Sequence, residues 1–254
     1  MKTIPVLGIP YYNRPDLLER CLASIDCHVD QLVIVDQGPV PLGDEFVWRM
    51  VLQTPYLHQV NRIVHPNAGV AGAWNEILKL FPSAWWLLVN NDIQFGGGDL
   101  ARLAAALEGN EGKHGVLYGN HGASCFAITD ACIERVGLFD ENIFPAYLED
   151  CDYSYRMKLL GVPALNMPGM LAIHGDGIQP SDTTKGSRTI MSDPDLRRRN
   201  GVTHGNNFEY YRAKWGGNNG EEVYRTPFNN PWVPVWAWRF DPTQRARQMR
   251  ALKS

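Results

Sequence analysis

Between residues 3 and 90 short apolar, strand-like runs alternate with stretches of helical periodicity, and every run closes on a cluster of polar residues. This alternation marks βαβ units around a mostly parallel sheet, because parallel neighbours need a long crossover, usually a helix. The strands fall at Ile4 to Ile9, Gln31 to Val35, Gln59 to Val64 and Trp85 to Val89. Arg14-Pro15-Asp16 opens an amphipathic helix with Leu17, Leu18, Cys21, Leu22 and Ile25 on one face. Further helices span Asp44 to Leu52 and Val70 to Leu80, and right-handed crossovers make the sheet doubly wound. After residue 96 the pattern mixes: a helix at Leu100 to Leu107, strands at Gly115 to Tyr118 and Ser124 to Thr129, and helices at Asp130 to Val136 and Glu149 to Leu160. The predicted fold class is a single α/β, Rossmann-like domain over residues 1–180 with a mixed, mostly parallel sheet. Residues 181–254 form an extension packed on it, with one helix at Asn207 to Trp215 and an aromatic stretch from Trp232 to Trp238.

Several classes are excluded. The 24 glycines and 17 prolines follow no period, and 44% of residues are apolar, so the chain is neither fibrous nor disordered. No apolar run approaches the roughly 20 residues that cross a bilayer. Met1-Lys2-Thr3 leads straight into a strand rather than a signal peptide, so the expected location is the cytosol. Five cysteines, Cys21, Cys27, Cys125, Cys132 and Cys151, form no CxxC and no metal spacing, which predicts buried free thiols.

Charge is divided unevenly. Residues 1–184 carry 11 Lys and Arg against 21 Asp and Glu, whereas residues 185–254 carry 13 against 6. A basic extension with Arg197-Arg198-Arg199, Arg245, Arg247 and Arg250 either binds a polyanion, such as nucleic acid or an anionic membrane surface, or complements the acidic body.

In an open α/β sheet ligands bind outside the carboxyl ends of the strands. Here those ends read Pro10-Tyr11-Tyr12-Asn13-Arg14, Asp36-Gln37-Gly38, His65-Pro66-Asn67-Ala68-Gly69 and Asn90-Asn91-Asp92. Asp92 follows Trp-Trp-Leu-Leu-Val, so a fixed strand presents a carboxylate where a hard divalent cation can share it with phosphate oxygens. The chain has no GxxxxGK loop, and no GxGxxG follows the first strand. A second constellation, Glu149-Asp150-Cys-Asp152, places three carboxylates at a helix start; helix capping uses such residues, and so does general-base chemistry. His174, between an apolar run and Gly175-Asp176-Gly177, ends another strand and can complete a metal shell.

Taken in order, these residues resemble family 2 glycosyltransferases, which have the glycosyltransferase-A fold. The likeness runs from residue 3 to 181. Its carriers are Tyr12-Asn13-Arg14, Asp36, Asn67-x-Gly69-x-x-Gly72-x-x-Asn75, Asn90-Asn91-Asp92, Val136-Gly137-Leu-Phe139-Asp140-Glu141, Tyr147-x-Glu149-Asp150-x-Asp152 and His174-Gly-Asp-Gly177. The resemblance implies that Pro10, Tyr12, Asp36 and Asn67 line a nucleotide pocket, with Asp36 receiving the base. It implies Asn90 and Asn91 near the ribose or diphosphate, and Asp92 and His174 holding Mn²⁺ or Mg²⁺. Asp150 becomes the general base and Glu149 places the acceptor or donor sugar. The implied reaction is inverting transfer from a nucleoside-diphosphate sugar, most commonly a UDP-sugar, to a saccharide hydroxyl. The basic, aromatic tail is similar to those of phage-encoded and some bacterial members and allows a second acceptor, hydroxymethylated pyrimidines in DNA; with a lipid-linked saccharide it would face anionic head groups. Two residues depart from the family pattern: Asn90 where the DxD motif has a carboxylate, and Trp74 where many relatives carry Arg. A pyrophosphorylase is disfavoured by the lack of a basic Gly-rich loop after the first strand, and a silent nucleotide-sugar or glycan-binding module is the reading of another class.

Overall fold

The computed structural model describes residues 2–108, 115–175, 177 and 193–253. A seven-stranded sheet has the order β3-β2-β1-β4-β7-β6-β8, with β1 Thr3–Tyr11, β2 His28–Asp36, β3 Leu57–Val64, β4 Trp85–Val89, β6 Val116–Gly119, β7 Gly122–Thr129 and β8 Ala164–Asn166. Strands β1 to β4 pair in parallel, and β7 runs antiparallel to both of its neighbours. A two-stranded ribbon joins β5, Ile93–Gln94, to β9, Ile173–His174.

The helices occupy the two faces of the sheet as the sequence predicts. The central strands are buried on both faces, so they read as continuous apolar runs. In β4, Trp85, Leu87 and Val89 enter one core while Trp86 and Leu88 enter the other. The first core takes Leu18, Cys21 and Leu22 of α1 (Pro15–Ala23), Met50 of α2 (Asp44–Gln53) and Leu100 and Leu103 of α4 (Asp99–Leu107). The second takes Ala73, Trp74 and Ile77 of α3 (Gly69–Leu80), Val136 of α5 (Asp130–Val136) and Tyr153 and Met157 of α6 (Glu149–Leu160). Ile25, expected on the first helical face, lies past that helix but stays buried in the same core. The five cysteines are free thiols, four of them buried.

The extension is more helical than its sequence suggests. Helix α7 spans Pro194–Trp215, starting well before the expected Asn207, because Asp193 accepts hydrogen bonds from Asp195 N and Leu196 N and Pro194 supplies a first-turn φ. Helix α8, Pro242–Lys253, buries Gln244, Gln248 and Ala251 against α7, with Gln248 bonded to Asn206 and to Thr203 O. The expected boundary near residue 180 lies outside the described residues. Among the described residues no helix is long and apolar enough to cross a membrane.

What joins extension to body is a buried ionic cluster. Lys214 Nζ lies 2.7 Å from Asp140 and 2.6 Å from Asp152, and Asp152 also pairs with Arg156 at 2.9 Å; all four side chains are at most 1% exposed. Trp215 Nε1 donates to Asp152, Tyr210 OH donates to Asp140, and Arg156 donates to the carbonyls of Val136 and Leu138. Burial pushes the Asp152 carboxyl up, but Lys214 and Arg156 outweigh it and hold the group below its ordinary value. Gly137, at φ 82°, admits the returning chain, since a Cβ there would stand 2.5 Å from the Trp236 carbonyl oxygen.

Removing one partner of a buried ion cluster leaves a charge uncompensated. Lys214→Met is therefore expected to lower unfolding free energy by ~3–5 kcal/mol, read from urea titration. Because the folded Asp152 carboxyl is depressed, its contribution is intact above the unfolded carboxylate's titration and is lost as pH falls through the folded one. The variant should thus lose the part of the acid-side pH dependence that Asp152 contributes.

Candidate active site

The carboxyl ends of β1, β2 and β4 open onto a cavity of about 350 Å³, within the range of small-molecule sites. Its floor is tied together by side chains that sit at turns. Gln37 N donates to Tyr11 O, while the Gln37 side chain accepts from Ala68 N at 2.5 Å and donates to Gly69 O at 3.3 Å. Asn67 Oδ1 accepts from Gly69 N at 2.9 Å, and Asn91 Nδ2 donates to Asn13 O at 2.9 Å. Gly69 is required here: its φ is +79°, and a Cβ would stand 2.8 Å from Pro145 O, which accepts from Val70 N. This close approach brings the 145–147 segment to the cavity wall.

At the end of β4, Asn90 N donates to Ser124 O and the chain turns into the β5–β9 ribbon. Ile93 lies opposite His174, and Gly175 N donates to Asp92 O at 2.8 Å. The ribbon thereby sets His174 Nε2 3.2 Å from Asp92 Oδ1, with side-chain exposures of 16% and 1%. His174 Nε2 has no hydrogen-bond partner among the described residues. The His121 ring lies 5.5 Å from that of His174, and its Nε2–H donates to Ala172 O; burial holds the His121 imidazole below its ordinary value. Among the described residues no group of three metal-ligating side chains converges. One carboxylate oxygen and one imidazole nitrogen form a donor pair that suits Mn²⁺, provided that other oxygens fill the shell.

Opposite this pair, Tyr147 and Leu148 both take left-handed backbone, φ 73° and 80°, immediately before α6. Non-glycine residues there carry strain of order 1–3 kcal/mol each. The twist points the first turn of α6 at the cavity. Glu149 is buried, and its Oε2 finds no partner among the described residues. Burial, and after it the charge of Asp150, pushes the Glu149 carboxyl up to about 8. Asp150 is half-buried, and its Oδ1 accepts from Cys151 N at 2.9 Å. Two adjacent carboxyls are thus placed in different environments, the arrangement that separates acid and base roles.

Of the residues expected at the site, Pro10, Tyr12, Asn67, Asn90, Asn91, Asp92, Glu149 and Asp150 line the cavity. His174 stands behind Asp92. Asp36, expected to receive a base, does not line it: 1% exposed, its carboxylate accepts from Leu42 N at 2.7 Å and Gly38 N at 3.3 Å, and so shapes the turn that presents Gln37. Apart from His174 and Asp36, the residues expected for the metal and for the nucleotide are therefore brought to one cavity. Sequence reasoning missed Gln37, His121 and Ser124, and, from the extension, Leu196, Arg199, Asn200 and Leu252. Gln37 lies within a strand end already singled out, and Arg199 within a basic run read as polyanion-binding or complementary to the body, with nothing local to distinguish it from Arg197 and Arg198; the others gave no signal. Of the remaining basic residues, Arg245 stacks over Phe144 of the body and donates to Glu141 O, whereas Arg247 pairs with Glu209 within the extension itself.

Residues 7–122 match the family described as Glycosyl transferase family 2. The chain is 29% identical over 148 residues to a galactofuranosyl glycosyltransferase of Leishmania donovani, covering 52% of this chain and 33% of that protein. It thus spans a third of the length of the curated relative it matches. The fold is similar to that of the mannosyltransferase PcManGT from Pyrobaculum calidifontis, solved with GDP-Man and Mn²⁺, at 16% identity and a TM-score of 0.58 over 99% of this chain and 72% of that one. It is also similar to GalNAc-T7 solved with UDP, GalNAc and Mn²⁺, at 12% identity and a TM-score of 0.54 over 83% and 50% of the two chains.

Glu149 keeps in the folded state a proton that the unfolded chain releases at an ordinary carboxyl value of 4.5. Stability must therefore fall as pH rises from there to about 8. Glu149→Gln abolishes that slope: the variant is expected to be more stable than the parent at pH 8 by ~1–3 kcal/mol, with the gap closing at pH 4. Urea unfolding at the two pH values measures it.

Proposed function

Because the chain carries a family 2 glycosyltransferase domain, we propose that it transfers a sugar, with inversion, from a nucleoside-diphosphate sugar to a hydroxyl of a saccharide acceptor. The observation that carries this reading is the convergence on one cavity of the Asp92 carboxylate, backed by His174, and the Asp150 carboxylate. The names of the similar structures, with GDP-Man or UDP and with Mn²⁺, support a nucleotide donor and a divalent cation.

Asp92 and His174 are the residues that would hold Mn²⁺ or Mg²⁺; bound there, the cation would neutralise the departing diphosphate. Asn90 replaces one carboxylate of the usual pair, so donor phosphates must supply more of the shell. Pro10, Tyr12 and Asn67 frame the nucleoside, and Asp36 supports it indirectly by fixing the turn that carries Gln37. UDP is the nucleotide to test first.

Asp150 takes the proton of the acceptor hydroxyl as that oxygen attacks the anomeric carbon. The anomeric C–O bond to the diphosphate breaks, and its electron pair leaves with the nucleoside diphosphate. Attack opposite the leaving group inverts the centre, and no enzyme nucleophile is needed. Glu149, still protonated near neutrality, serves as a hydrogen-bond donor to a sugar hydroxyl rather than as a base. A saccharide is favoured over DNA as acceptor because the basic extension spends Lys214 and Arg245 on the body, pairs Arg247 with its own Glu209 and turns Arg199 inward.

Nucleoside-diphosphate release with Mn²⁺, screened over donor sugars and acceptor pools, tests the reading. Asp150→Asn is expected to cut kcat by about 10²–10⁴-fold with nucleotide affinity nearly unchanged; full activity in this variant refutes the assigned base. His174→Ala should raise the Mn²⁺ concentration needed for half-maximal rate about 10–100-fold, and a variant with unaltered metal dependence removes His174 from the metal site.

A further inference from the structure

We propose that Arg199 forms an oxyanion-binding corner of the cavity, that the acceptor sugar carries an acidic group, phosphate or carboxylate, which this corner holds, and that the adjacent Asn200 Oδ1 accepts from a hydroxyl of the same sugar. The inference rests on the functional reading above and names its acceptor class.

Helix α7 brings both side chains to the cavity wall, beside Leu196 and Leu252 of α8. Asn200 is 8% exposed, and its Oδ1 has no hydrogen-bond partner among the described residues. Arg199 Nε is likewise buried and without a partner among the described residues, and no ion pair ties its guanidinium to them. Polar atoms in this state are costly unless a ligand satisfies them. Arg199 is the lone Lys or Arg among the described lining residues, facing a cavity that also holds Asp92, Glu149 and Asp150. A planar guanidinium suits the two oxygens of a phosphate or carboxylate, and the neighbouring amide can orient a sugar hydroxyl.

The corner belongs to the acceptor rather than the donor because of what α7 is fastened to. Asn207 donates to Ala146 O and Tyr147 O and accepts from Phe144 N, and the His204 ring lies 5.0 Å from that of Tyr147. Arg199 therefore stands on a helix fastened to the segment that leads into Asp150. The donor's diphosphate is served from the other wall, where β4, β5 and β9 hold Asp92 and His174. A group fixed relative to the base is placed to align the nucleophilic hydroxyl, which is worth large factors in rate.

The test compares one acceptor sugar in three forms: a neutral methyl glycoside, the corresponding uronic acid and the sugar monophosphate. Nucleoside-diphosphate release is measured for the parent, Arg199→Gln and Arg199→Lys. The expected result is a parent preference for an acidic form and a KM for it raised about tenfold to a hundredfold in Arg199→Gln. The donor KM and the acceptor-independent hydrolysis of donor stay unchanged, and Arg199→Lys recovers part of the loss. Whichever acidic form is preferred identifies the source of the oxyanion. Equal losses on neutral and acidic acceptors, or a raised donor KM, overturn the proposal. Calorimetric titration of a sugar monophosphate into protein saturated with UDP and Mn²⁺ needs no turnover. Equal affinity in parent and Arg199→Gln overturns the corner even if transfer occurs, whereas a corner that binds without any transfer faults the functional reading.

Discussion

One buried ammonium organises this molecule. Lys214, at the end of α7, reaches Asp140 on one side and Asp152 on the other. Those two carboxylates bracket the segment that carries Tyr147, Glu149 and Asp150, so a single cation from the extension clamps both ends of the stretch proposed to be catalytic. None of these charges is tolerable alone in a dry interior, and their mutual attraction must offset a large desolvation cost. Full satisfaction of the cluster, with Arg156, Tyr210 and Trp215 taking the remaining positions, makes the arrangement rigid and particular. The extension is therefore a structural part of the site.

That rigidity permits the departures from comfort found next to it. Left-handed backbone at Tyr147 and Leu148 and a desolvated Glu149 are each unfavourable, and they persist because flanking contacts over-determine them. Gly69 contributes from the opposite side by letting Pro145 approach. The β5–β9 ribbon does the same for the proposed metal pair: two residues of pairing bring His174 back to Asp92 across a long sequence gap. Strain and burial at these points trade stability for geometry, as expected where chemistry is done.

Much of this was legible from the chain alone. Apolar runs buried on both faces announced the central strands, and the strand ends gave Pro10, Tyr12, Asn67 and Asn90 to Asp92, all of which line the cavity. The carboxylate cluster at Glu149 and Asp150 was visible as an excess over capping needs. Asp36 shows the limit: its type and position suited a ligand contact, but two backbone N–H groups claim its oxygens. The first half of α7 escaped notice because Asn200, Gly201 and Gly205 are poor helix formers; packing against α8 and the 144–147 segment overrides propensity.

The sequence by itself determined the winding of the sheet, the polar rim at its carboxyl edge and the family resemblance, because periodicity and short motifs are local properties of a chain. Only the tertiary structure decided which polar residues face the cavity and which are consumed by turns. It also decided that Arg199 and Asn200 turn inward while Arg245 engages the body and Arg247 pairs within the extension. The reason is physical: identical side chains in a basic run differ only in what surrounds them, and those surroundings are built by contacts between residues far apart in sequence.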